Sequence, residues 1–202
     1  MCGARVTVNR IAATVLLAAL SVRADVPGGH WYVGFGASAS KPLASDKSLV
    51  WNPSIPGERG EPLHADLALS LDLAFETAHA FAAISLEHGG LLQTQPEFDL
   101  QSLRGGVIFG SGNAALYVGV GAGRMSMTVF TPYDMGTMVH ASGAALLAEA
   151  GVLLLRDRQF GRIALALRLI DPLFGMQGPP YTAGAQSSDR IPLLLFTTRL
   201  FL

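Results

Sequence analysis

Hydrophobic and polar positions alternate along residues 63–76 with a period of two. The odd positions are apolar throughout, and the even positions are polar or small, with Asp66, Asp72 and Glu76 among them. Successive side chains of a β-strand point to opposite faces, whereas a helix would scatter the leucines around its circumference. The pattern therefore predicts a strand with one apolar face, long enough to cross a bilayer when tilted, which takes about 9–11 residues.

Similar alternation recurs along the rest of the chain. It covers seven further segments, residues 30–38, 79–88, 98–110, 113–124, 142–156, 161–171 and 191–202. Eight segments give an even number of strands, and every segment keeps an apolar face. The pattern indicates an all-β protein.

The connections between these segments alternate in length. Four are long, residues 39–62, 89–97, 125–141 and 172–190, and three are short, residues 76–79, 110–113 and 157–160. In an antiparallel meander, alternate connections lie at opposite rims. We therefore expect an eight-stranded antiparallel up-and-down transmembrane β-barrel, with every long loop at one rim and both termini at the other.

The composition favours a membrane barrel over a water-soluble one. Half of the residues are hydrophobic and only 14% are charged, against about 25% in a typical soluble domain. No internal apolar run reaches the roughly 20 residues of a membrane-spanning helix. A soluble lipocalin-like barrel, with the apolar face turned inward, remains an alternative.

Residues 1–24 have the features of a cleaved signal peptide. Arg5 and Arg10 precede an apolar stretch, and Ala24 ends a small-residue cleavage motif. Residues 25–202 then form a single barrel domain. Without residues 1–24 the chain holds eleven basic and fifteen acidic residues and no cysteine. The acidity disfavours nucleic-acid binding, and disulfide or thiolate chemistry is excluded.

This combination resembles the small OmpA-like and OmpX-like outer-membrane barrels. The resemblance lies in the topology, in the segment Leu147-Ala148-Glu149-Ala150-Gly151-Val152 and in the alternating last strand. It implies residence in the bacterial outer membrane, contact with outer-membrane lipid, extracellular long loops, and a monomer.

With the apolar parity facing lipid, charged residues must face the bore. A closed eight-stranded barrel is just wide enough for its own side chains, and charges there need partners. Arginine suits this because its planar fork bridges two carboxylates. We expect an ion-pair plug formed by Asp66, Asp72, Arg104, Glu149, Arg168 and Arg199. Glu76, Glu87 and Arg162 have the same parity, but their positions near strand ends would also suit exposure at the rims.

No group of residues stands out as a catalytic, cofactor or metal site. The five histidines are scattered without metal-ligand spacing. Ser85, Glu87 and His88 are close in sequence, yet Ser85 and His88 would point to opposite faces of a strand. We therefore expect no enzyme activity, cofactor or metal, and a structural or interaction role with a possible extracellular partner at the long loops. A narrow pore or hydrophobic-ligand carrier is the main alternative, and a lipid-modifying enzyme is a weaker one.

Methionine and aromatic residues concentrate in residues 125–140. Such side chains offer adaptable apolar contacts and could bind a partner from a loop. The simpler interpretation is that they extend the fifth and sixth strands, pack together and stiffen the rim.

Overall fold

The computed structural model describes residues 29–43, 66–92, 97–130, 138–157, 161–175 and 190–202. The predicted signal peptide and most of the long connections lie outside these ranges. No helix long and apolar enough to cross a membrane occurs within them.

Eight strands form the protein in chain order. They are β1 (Gly29–Pro42), β2 (Asp66–Thr77), β3 (Ala80–Gly89), β4 (Glu97–Phe109), β5 (Ala114–Phe130), β6 (Met138–Leu154), β7 (Arg162–Pro172) and β8 (Leu193–Phe201). Each strand pairs with its chain neighbours in antiparallel register, and β8 pairs with β1 to close the barrel. The predicted all-β, eight-stranded antiparallel barrel is confirmed.

The register fixes how steeply the strands are inclined. A path through paired residues once around the barrel starts at Tyr32 and returns to β1 at Pro42, ten positions further on. It passes through Ala74, Ala83, Arg104, Gly121, Leu147, Ile170 and Leu193. Eight strands with a shear of ten are inclined by about 40° to the barrel axis, within the usual range.

The lengths of the connections differ from the prediction. Residues 125–141 were expected to form a long loop, but β5 runs to Phe130 and β6 starts at Met138, so only residues 131–137 connect them. The two strands stay paired up to Phe130 and Met138, as the simpler interpretation requires. At what we call the outer rim, residues 43–65, 90–96 and 173–192 also connect strands, and the inner rim carries residues 78–79, 110–113 and 155–161. Connections 90–96, 131–137 and 155–161 are seven residues each, so the predicted strict alternation of long and short connections is wrong, and the contrast rests on 43–65 and 173–192.

The outward-facing side chains change from apolar to polar along the barrel axis. The shear is ten residues over eight strands. Each step from a residue to its register partner on the next strand therefore moves about 1.25 residues towards the end of the barrel at which β1 ends. After this correction five outward polar residues lie within about two residues of one level. This boundary ring consists of Lys41, His88, Asp99, Arg124 and Asp171.

Below the boundary ring the outward face is apolar or small, apart from Gln101 and Thr198. This band is about nine residues high, or about 22 Å at the observed inclination, close to the roughly 25 Å apolar band of outer-membrane barrels. Above the ring the outward face turns polar with Ser126, Thr128 and Ser142. On the strands that carry the boundary ring, the apolar outer surface thus extends only over a height that a bilayer could cover.

Candidate functional site

Arg104 on β4 anchors a group of buried charges at mid-height of the bore. Its Nη2 donates to Oδ1 of Asp72 at 2.6 Å, and its Nη1 donates to Oε1 and Oε2 of Glu149 at 2.7 and 2.8 Å. Strands β2, β4 and β6 supply the three side chains. One guanidinium therefore bridges carboxylates from two other strands, as the fork geometry allows.

Two further arginines complete the group. Arg199 Nη1 donates to Glu149 Oε2 at 3.3 Å, and its Nε lies 3.3 Å from Asp72 Oδ2. Arg168 Nη1 donates to Glu87 Oε2 at 2.7 Å, and its Nε lies 3.6 Å from Glu149 Oε2. We call Asp72, Glu87, Arg104, Glu149, Arg168 and Arg199 the central ion-pair layer. Its three formal positive charges equal its three formal negative charges, so it adds no net charge to the bore.

Hydroxyl groups give the carboxylates of the central layer further hydrogen-bond partners. Ser85 accepts from Arg104 Nε at 3.0 Å and donates to Asp72, which also accepts from Ser70 at 3.3 Å. Ser38 contacts Glu87 at 3.5 Å and Thr197 at 2.9 Å. Charges removed from water survive only with such partners.

A small cavity lies between the central layer and the inner rim. Its volume is ≈ 30 Å³, and Arg104, Arg199, Tyr117, Tyr32 and Glu76 are among its lining residues. Nη2 of Arg199 and the hydroxyl of Tyr117 are buried and have no hydrogen-bond partner within the described ranges. Most of the lining is apolar, but a cavity of this size has room for about two water molecules beside these polar groups.

A second group of charges lies at the inner rim. Glu76 Oε1 is 3.0 Å from Arg156 Nε and 3.1 Å from Arg162 Nη1. The Arg162 guanidinium also covers the Tyr32 ring at 4.4 Å from its centroid. Glu76 is only 8% exposed, so the predicted alternative of free rim exposure is wrong for this residue.

Asp66 lies away from the central ion-pair layer. It is six residues from Asp72 along β2, which corresponds to about 20 Å. Its carboxylate accepts hydrogen bonds from the backbone N–H groups of Leu67 and Leu92. Asp66 therefore stands apart from the central ion-pair layer, and its predicted part in an interior ion-pair network stays a prediction.

Above the central layer the bore is filled by apolar side chains. The buried members are Ala68, Phe98, Leu100, Met125, Met127, Ala145, Leu147, Ile170, Ile191, Leu193 and Leu195, which we call the upper core. Met125 and Met127 therefore point into the barrel and do not form a loop surface. A similar apolar group that includes Tyr117, Leu153 and Phe201 lies near the inner rim.

Sequence reasoning missed two features of this interior. Glu87 was left open between bore and rim, although its parity matches that of Ser85 and points inward. The upper core was missed because residues were assigned to the bore or the outer face from their alternation alone, and their position along the barrel axis was not considered. On β4, β5 and β6 the apolar residues point inward and polar residues point outward above the central layer. With the shear included, this reversal would have indicated an apolar bore there.

The residues considered for catalysis lie on different faces of the wall. Ser85 points inward to Asp72, whereas His88 points outward and places Nδ1 2.8 Å from Oδ1 of Asp99. Within the described part of the chain, no group of three or more histidine, cysteine, aspartate or glutamate residues is arranged to hold a metal ion.

The fold is shared with small outer-membrane barrels of known structure. Neisserial surface protein A superposes with a TM-score of 0.53 at 10% identity, over 87% of this chain and 98% of that one. The attachment invasion locus protein Ail of Yersinia pestis gives 0.48 at 11% identity, over 88% and 100%. The N-terminal β-barrel domain of Pseudomonas aeruginosa OprF gives 0.46 at 12%, over 86% and 99%.

No family model matches the chain, and no curated protein matches it. The similarity to Neisserial surface protein A is therefore one of fold. It confirms the predicted resemblance to the small eight-stranded outer-membrane barrels.

Proposed function

We propose that this protein resides in the bacterial outer membrane as a closed barrel with a structural or interaction role. The outward apolar band, which ends at the boundary ring on five of the eight strands, supports the location. The observation that carries the role is the filled bore, because ion pairs occupy its centre and the upper core occupies its outer half. A bore filled in this way should leave no continuous aqueous path across the membrane.

The long connections 43–65 and 173–192 are the proposed site of contact with an extracellular partner. The strand ends that they connect lie at the outer rim, which faces the cell exterior if both termini face the periplasm. Outer-membrane lipid surrounds the apolar band below the boundary ring. A monomer is sufficient in this proposal because a closed barrel has no unpaired strand edge.

Two measurements test the location and the barrel together. Cell fractionation should place the protein in the outer membrane, and an unboiled sample should migrate differently from a boiled one on a detergent gel. A periplasmic protein with identical migration in both samples would overturn the proposal in favour of a soluble barrel.

Planar-bilayer recording tests the closed bore. The folded protein should show no steady conductance, because opening a path would require separating buried ion pairs and the upper core. Large, stable channels from the unchanged protein would contradict the proposed role and favour the pore alternative. Unchanged lipid A after overexpression would agree with a non-enzymatic role, and a modified lipid A would contradict it.

A further inference from the structure

An open groove crosses the outer surface of the barrel over β2 to β6. Its volume is ≈ 800 Å³. Most of its lining side chains point outward, so the groove lies on the wall and not in the bore. No function proposed so far uses it.

The groove is amphipathic along the barrel axis. Below the boundary ring the groove is lined by Leu69, Leu71 and Leu86 on the apolar band, with Gln101 as a polar side chain close to the ring. Its upper end is lined by polar residues at or above the ring, including Arg124 and Ser142. A molecule that fills the groove must therefore be apolar at one end and polar at the other, with the change at the level of the bilayer surface.

Arg124 sets the charge that the polar end can recognise. His88 Nδ1 is 2.8 Å from Oδ1 of Asp99, within hydrogen-bonding distance, and His140 Nδ1 is 3.1 Å from Thr128 Oγ1. Arg124 is exposed, and no ion pair or hydrogen bond of its side chain occurs among the residues the structure describes. Its guanidinium can therefore donate to a planar pair of anionic oxygens, the arrangement that phosphate offers.

We propose that this groove binds a lipid of the outer leaflet through an anionic phosphate headgroup. The phosphate contacts Arg124, with the hydroxyls of Ser126 and Ser142 as further donors, and an acyl chain lies against Leu69, Leu71 and Leu86. The inference rests on the proposed membrane location, because only there does the apolar end face acyl chains.

Native mass spectrometry of the full chain, folded in dodecyl maltoside micelles, tests the site. The probe is diphosphorylated lipid A titrated into the micelles, with phosphatidylcholine as the zwitterionic comparison. Arg124→Gln should weaken lipid A binding about tenfold. Lys41→Gln is the matched control, since Lys41 lies at the same level on the opposite wall and is outside the groove.

The outcomes separate the possible explanations. Lys41→Gln should leave binding unchanged, and millimolar inorganic phosphate should not displace the lipid. Equal losses in both variants would show general charge attraction and overturn the proposal, as would displacement by phosphate or equal binding of phosphatidylcholine. Heat-modifiable migration is measured on the same samples, so a folded barrel that binds no lipid A refutes the groove alone. A chain that shows no heat-modifiable barrel refutes the proposed function itself.

Discussion

Arg168 on β7 reaches across the bore to Glu87 on β3, with its Nη1 2.7 Å from Oε2 of the carboxylate. The two strands are four apart in a closed barrel of eight, so they face each other on opposite walls. Arg168 is also the register partner of Glu149 on β6. A single guanidinium therefore links two walls of the barrel near its mid-height.

The first prediction concerns Glu149, which lies within 3.6 Å of all three arginines of the central ion-pair layer. Glu149→Gln leaves those arginines with two carboxylates in a site shielded from water. Removing one partner of a buried pair costs about 3 kcal/mol. Urea unfolding in lipid vesicles, followed by tryptophan fluorescence, should show a loss of this size.

Asp171→Asn is the control for Glu149→Gln, because Asp171 belongs to the boundary ring and its partner among the described residues, Arg190, is 3.9 Å away. Its effect should be below about 0.5 kcal/mol. Similar losses for both substitutions would mean that the central layer has no special role in stability.

The second prediction separates the cost of an unpaired charge from the value of the pair across the bore. Arg168→Leu alone and Glu87→Leu alone should each destabilise the barrel by about 3 kcal/mol, since each leaves a buried charge. The double substitution should be less destabilising than the sum of the two, by about 1–3 kcal/mol. Additive effects in the same unfolding assay would show that the two side chains are not coupled.

The third prediction concerns the packing of Phe81 against glycine. An added Cβ at Gly119 would lie 2.7 Å from Cζ of Phe81, whose ring also contacts Tyr117 edge-on at 5.3 Å between centroids. Gly119→Ala should therefore destabilise the barrel by about 1–3 kcal/mol through overpacking. Adding Phe81→Leu should recover part of the loss, because it removes the clashing atom. No recovery in the double variant would place the strain elsewhere.

The sequence was sufficient to predict the fold because a period of two is a local signal, repeated in eight segments. It also placed Asp72, Arg104, Glu149, Arg168 and Arg199 on the bore face, since parity alone decides which wall surface a strand residue occupies. It could not place Asp66, whose parity is inward but whose height depends on the register around the whole barrel. The upper core was missed for the same reason, because shear is set by all eight strand pairs together.

The last prediction tests the level of the boundary ring directly. Residues 25–202 contain no cysteine, so single cysteines can be introduced on β5 without background labelling. Ser126→Cys lies above the ring and Val120→Cys lies below it, and both side chains point outward. In vesicles, a membrane-impermeant maleimide should label Ser126→Cys at least tenfold faster, because the Val120 position faces acyl chains and a thiolate forms poorly away from water. Dissolving the vesicles in urea should make the two rates equal, which controls for intrinsic reactivity. Equal labelling in intact vesicles would show that the apolar band does not mark the bilayer, and the groove and the outer-membrane location would both lose their support.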